Sequence, residues 1–150
     1  MKKSICLIIV LVLTSITTGI AQEETSIVFH ASHEEKKQSA PYSDAVSVGN
    51  LFFLAGQIGM DQSTRTMVSG GIKAETEQTI KNIVAVLEHH GMGLDRVVKC
   101  TVILSNIEDF AAFNEVYTQY FIKKPARTTF AASGLAANAM IEIEVVAVKQ

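Results

Sequence analysis

The chain contains no tryptophan, two prolines and two cysteines in 150 residues. Nine glycines stand beside the two prolines, and no polar tract is long, so a largely disordered or low-complexity chain is excluded. There is no Lys/Arg cluster beyond the pairs Lys36-Lys37 and Lys123-Lys124, both read as solvated surface. There is no Gly-rich phosphate loop, since Gly91-Met92-Gly93 lacks the rest of any such fingerprint. No Cys/His spacing suits zinc, and no Ser/His/Asp arrangement of triad type is evident. His89 and His90 are adjacent, and adjacent helical positions point about 100° apart, so they chelate poorly and read as exposed residues near the helix end.

What is present is a core. Apolar residues make up 48% of the sequence, enough for one domain of this length. The first residues are set apart from it. Met1-Lys2-Lys3 is basic, Ile5 to Leu13 is almost wholly apolar, and Thr14 to Ala21 is small and polar. That order is a secretory signal peptide, with cleavage expected after Ala21 and a secreted or periplasmic product of residues 22–150. The apolar stretch is short of the ~20 residues that span a bilayer core, so no stable membrane insertion is expected after cleavage.

Cleavage would remove Lys2 and Lys3, taking Lys plus Arg from 13 to 11 against 15 acids, a net charge of −4. An acidic chain is a poor polyanion binder, because non-specific nucleic-acid affinity comes from neutralising phosphates. Cys6 would leave with the signal. Cys100 would remain without a partner, inside the strand-like run Val97 to Leu104, where a buried and unreactive thiol is the default.

The body alternates strands and helices. Ser26 to His30 reads as a strand and Ala31 to Ala40 as a polar loop. Ala45-Val46-Ser47-Val48 and Leu51-Phe52-Phe53-Leu54 flank Gly49-Asn50, a hairpin signal. Asp61 to Gly71 is expected to be a loop. Ile80, Ile83, Val84 and Leu87 recur at helical spacing, which predicts a helix from about Ile72 to His90 with Gly91 as its stop. Arg96 to Leu104 follows as a strand. Ser105 to Phe121 is expected as a second helix, opened by a capping box at Ser105 and Glu108 and carrying a stripe of Phe110, Phe113, Tyr117, Tyr120 and Phe121 read as core. Arg127 to Ala131 and Ala139 to Lys149 are the last strands. The pattern predicts an α+β domain with a mixed sheet and both helices on one face. In the last strand Ile141, Ile143 and Val145 alternate with Glu142, Glu144 and Val146. The uncovered sheet face would then show apolar side chains to water, which packing against other copies would relieve.

The candidates for chemistry are few. Arg127 is one of three arginines and opens a strand after Pro125-Ala126; Glu142 opens the final strand. A guanidinium fork matches a carboxylate, and a glutamate beside it can orient water or handle a proton. From the residues alone, a structural Arg–Glu pair and a ligand site are equally open.

From about Ala40 to Val148 the chain resembles the RidA/YjgF family of imine/enamine deaminases. The resemblance lies in Pro41-Tyr42, Gly56-Gln57-Ile58, Gln78 with Asn82, Val97-Val98-Lys99-Cys100-Thr101-Val102, Asp109-Phe110 and Asn114 with Tyr117. Its most specific parts are Pro125-Ala126-Arg127-Thr128 and the closing Ile141 to Val148. It implies a chorismate-mutase-like fold and homotrimers with clefts between subunits. It implies that Arg127 binds the substrate carboxylate and Glu142 positions or activates water, with Tyr42, Gly56 and Asn114 at the same cleft. The implied reaction is hydrolysis of 2-imino acids to 2-keto acids and ammonia, without metal or organic cofactor. A small-carboxylate binder using the same clefts without turnover is the alternative. A ribonuclease or translation inhibitor, activities ascribed to some relatives, is disfavoured by the acidic charge. Two positions depart from the usual pattern. Ala55 stands where many relatives carry Ser, and Gly59 stands where Pro is usual, which predicts a looser loop.

Overall fold

The computed structural model describes residues 25–150. The expected signal segment lies outside the described residues. Within them, one sheet of seven strands carries two helices on a single face. In chain order its elements are β1 (Ile27–His30), β2 (Ala45–Val48), β3 (Leu51–Leu54), β4 (Gln57–Ile58), α1 (Gly71–His89), β7 (Val97–Leu104), α2 (Phe110–Tyr120), β8 (Ala126–Ala131) and β9 (Ile141–Val148). Between β4 and α1 lies a small separate hairpin, β5 (Met60–Asp61) with β6 (Thr66–Met67). The spatial order is β1-β2-β3-β9-β7-β8, with β4 also on β9. Only β7 and β8 run parallel, and α2 is their crossover. The α+β class with helices on one face is as the sequence predicts.

The period-two pattern sorts the two faces. Ile141, Ile143, Val145 and Ala147 of β9, and Cys100, Val102 and Leu104 of β7, are buried beneath the helices. From α1, Ile80, Ile83, Val86 and Leu87 meet them at helical spacing and are buried too. Each such aliphatic side chain contributes ~1.5–3 kcal/mol by leaving water, so this layer fixes the sheet that carries the site. Gly91 ends α1 with φ +72°, the left-handed stop expected of it, and the Met92 amide closes back onto the Leu87 carbonyl at 2.9 Å. Cys100 is fully buried, and burial pushes its thiol pKa up, as its place in a core strand predicts.

Four local expectations are corrected. The second helix starts later than Ser105: a 3₁₀ turn spans Ile107–Asp109, α2 begins at Phe110, and the cap is Asn106, whose Oδ1 accepts from the Glu108 amide at 3.1 Å. The 61–71 segment is not all loop, because β5 and β6 pair within it. Lys37 is not solvated surface. It sits in a 3₁₀ turn (Glu35–Lys37), is buried, and lies 2.6 Å from the buried Asp44 carboxylate. Gly59 does not serve to loosen its loop. A Cβ there would stand 2.7 Å from the Glu75 Cα, so the missing side chain lets this segment press against α1.

Candidate active site

Arg127 stands on β8, the edge strand, and faces the helix side of the sheet in register with Cys100. Its Nη1 donates to Asn114 Oδ1 at 2.8 Å. Its guanidinium lies over three rings of α2: Tyr117 at 4.6 Å, Phe113 at 5.2 Å and Phe110 at 5.6 Å from the centroids. These rings recur three and four residues apart, so one helix face presents them together. The aromatic stripe is core at Phe113, Tyr117 and Phe121, while Phe110 is 37% exposed and Tyr120 partly buried; Phe113 and Tyr117 still hold a cation by their π faces. The guanidinium opens on a recess of about 580 Å³ that Lys124 and Ile122 also line. Seating the planar fork this way leaves further N–H groups for an anion.

Glu142 stands at the start of β9 on the other face, in register with Ile58 and Ile103. It lines a recess of about 270 Å³ with Tyr42, Ala55, Gly56, Ile58 and Ala136. Burial, and next the nearby Glu144 carboxylate, raise its pKa above the usual carboxylate value. Gly56 is what makes room for it. A Cβ at Gly56 would fall 2.9 Å from Glu142 Cδ and 3.0 Å from Cγ, and closer still to Oε1.

One protomer does not bring the two halves together. Arg127 pairs with Cys100, which pairs with Val145, three residues beyond Glu142. An odd offset puts the two side chains on opposite faces, with Cα atoms roughly 14 Å apart from strand spacing and rise. The face that bears Glu142 is open. Phe29, Val46, Phe53 and Val146 are neighbours in a row across it, with Phe53 44% and Phe29 72% exposed; Phe130 on β8 is 45% exposed. This is the uncovered apolar face that the sequence pattern anticipates.

Residues 32–149 match a family model described as Endoribonuclease L-PSP. The human 2-iminobutanoate/2-iminopropanoate deaminase is 44% identical over 110 residues, covering 73% of this chain and 80% of that one. The chain belongs to the RidA/YjgF family. A putative endoribonuclease structure from Thermotoga maritima superposes on 82% of this chain and 98% of its own with TM-score 0.76 at 42% identity. RidA from an Antarctic Psychrobacter superposes on 85% and 100% with TM-score 0.71 at 32% identity.

The RidA/YjgF resemblance singles out Arg127, Glu142, Tyr42, Gly56 and Asn114. The structure sorts them into two groups: Arg127 with Asn114, and Glu142 with Tyr42 and Gly56. Supporting residues went unassigned from sequence. Asn82 of α1 donates from Nδ2 to the carbonyls of Ile58 (3.0 Å) and Met60 (2.8 Å), and so fixes the stretch that carries Gly56. Glu75 is buried and its Oε2 accepts from the Met140 amide at 2.7 Å, anchoring the approach to β9; burial raises its pKa. Asn82 is visible in sequence as part of the family resemblance, with no role attached to it there. Glu75 gives no comparable signal.

The histidines depart from the sequence reading. All four of the chain gather where β1 meets the end of α1: His30 with His90, His33 with His89, and His89 with His90, ring centroids 4.6–5.1 Å apart. His89 is exposed as expected, while His90 is partly buried between His30 and Phe52. Desolvation, followed by the charges of His30, His89, Lys149 and His33, lowers the His90 pKa to about 4. Among the described residues no three His, Cys, Asp or Glu side chains form a group that could hold a metal ion.

Proposed function

We propose that the protein hydrolyses reactive 2-imino acids to 2-keto acids and ammonia, in clefts formed where Arg127 of one copy meets Glu142 of another in a homotrimer. The observation that carries this reading is the division of the site. A cation suited to a carboxylate and a glutamate whose pKa burial raises each line an open recess, and neither can reach the other's ligand within one protomer. The apolar open face supplies a surface for the contact between copies. The human relative's name supports the substrate class.

The chemistry asks little of the site. An imine carbon is electrophilic, so the protein must hold the substrate, place a water and move protons. Arg127, steadied by Asn114 and three rings, takes the carboxylate. Glu142 accepts a proton as the water oxygen adds to the imine carbon and the C=N electron pair moves to nitrogen. Glu142 returns that proton to nitrogen, giving the carbinolamine; it then takes the hydroxyl proton as C=O forms and passes it to the departing nitrogen, which leaves as ammonia. A carboxylate whose pKa is raised is suited to both steps. The order of residues 1–21 supports export of the mature chain, and N-terminal sequencing of the protein from its source tests that.

The decisive assay couples an amino-acid oxidase, which makes imino acid in situ, to keto-acid and ammonia detection. Arg127→Ala is expected to lose at least about a hundredfold in kcat/KM, from the missing charge-assisted bonds and lost orientation, while keeping its fold. Wild-type rates in that variant would reject the assignment. Wild-type protein that binds keto acids and turns nothing over would favour a carboxylate binder.

A further inference from the structure

Beside the Glu142 recess lies a second one of about 180 Å³. Tyr42, Gly56, Ile58 and Ala136 line both, so the two form a continuous depression. Their charges differ. The first holds Glu142; the second is lined by Lys37 and Arg65 with the amides of Gln57 and Gln62 and, among the described residues, by no acidic side chain, and since Asp44 neutralises Lys37 the net positive charge comes from Arg65. Arg65 comes from the exposed turn between β5 and β6, where its Nη1 donates to Gln62 Oε1 at 2.6 Å. The Lys37 side chain is only 7% exposed, and its Nζ meets Asp44 Oδ1 at 2.6 Å and Gln57 Oε1 at 3.4 Å. An ammonium has three N–H donors, so one remains for the recess it lines. Lys36 Nζ donates to the Ser63 carbonyl at 2.5 Å, tying the turn that carries Lys37 to the hairpin that carries Arg65. The two cations are thus held by connected structure.

We infer that this recess is a subsite for an anionic group, and that the preferred substrates are imino acids with a second carboxylate at the end of the side chain. The inference rests on the proposed function. With the first carboxylate on Arg127 of the neighbouring copy and the imine carbon at Glu142, the side chain runs past Tyr42 and Gly56 toward Lys37 and Arg65. A carboxylate there makes charge-assisted hydrogen bonds to both cations. An apolar side chain would strip water from Arg65 and from the remaining Lys37 donor without replacing its hydrogen bonds.

The test compares 2-iminoglutarate with 2-iminobutanoate, each generated by an oxidase, on the assembled protein and on Arg65→Ala. The ratio of kcat/KM values should favour the dicarboxylate by about tenfold or more, the size of one charge-assisted contact. Arg65→Ala should collapse that ratio, chiefly through KM. Turnover of both imines at similar efficiency, with a ratio that Arg65→Ala does not move, overturns the subsite and leaves imine hydrolysis standing. If neither imine is hydrolysed, calorimetric titration with 2-oxoglutarate and 2-oxobutanoate decides. Tighter, Arg65-dependent binding of the dicarboxylate supports the subsite, and equal binding sinks it.

Discussion

Gly56→Ala is a one-methyl perturbation aimed at Glu142. The new Cβ would lie 2.9 Å from Glu142 Cδ and 3.0 Å from Cγ. Carbon atoms rest at about 3.5–4.0 Å, so the carboxylate must retreat by about 1 Å. The obstacle is the end of a flexible side chain rather than backbone, and Gly56 is not among the residues with positive φ. Stability should therefore change by under ~1 kcal/mol, with part of the strain offset by the stiffer unfolded chain. Catalysis should suffer more, since a misplacement of about 1 Å costs on the order of a hundredfold. The coupled oxidase assay gives kcat/KM, and a thermal melt on the same sample gives Tm. A Tm within a few degrees of wild type, with kcat/KM reduced by at least about tenfold, is the expected pair of results. Unchanged kcat/KM would refute the reasoning that Gly56 sets where the Glu142 carboxylate stands.

Gly59→Ala should behave in the opposite way, losing ~1–3 kcal/mol by denaturant melt, because its Cβ meets the backbone of α1 at Glu75, 2.7 Å away; a stability equal to wild type contradicts the close packing. The pH profile of kcat/KM should rise with pH through a value above the usual carboxylate range, because Glu142 holds its proton more tightly than a free carboxyl. Glu142→Gln should abolish that limb, and a profile whose acid limb survives in the variant would assign it elsewhere. The folded pKa of His90 is depressed from 6.5 to about 4, so folding favours its neutral form. Stability from this group is complete above pH 6.5 and is lost as pH falls toward 4. Allowing for its partial exposure, the loss by pH 5 is of order 1 kcal/mol, and His90→Gln should flatten it; denaturant midpoints at pH 7.5 and 5 that shift equally in both proteins would contradict the assignment.

Periodicity made much of the fold legible. Alternation in β7 and β9, the 3.6-residue spacing in α1 and Gly91 at its end predict what is buried and where elements stop. The second helix start failed because Ser105 and Asn106 both suit a cap, and only the 3₁₀ turn selects Asn106. Lys37 failed because a lysine within a polar run gives no sign of a buried aspartate seven residues on. The histidine cluster failed for a similar reason: His89-His90 alone makes a poor chelate, and the partners on and beside β1 are brought in only by the sheet. At the site, residue types and order pointed to Arg127 and Glu142. Their separation did not show in the sequence, since it follows from the β7–β8 and β7–β9 registers.

That separation allows a direct test. Arg127→Ala and Glu142→Gln are each expected to be inactive alone. Co-expressed in equal amounts, they assemble into mixed oligomers, and random mixing in a cyclic trimer leaves about one cleft in four with both native side chains. The mixture should recover roughly a quarter of wild-type kcat. Mixed oligomers, verified by mass spectrometry, that stay as inactive as either parent would contradict a site shared between copies.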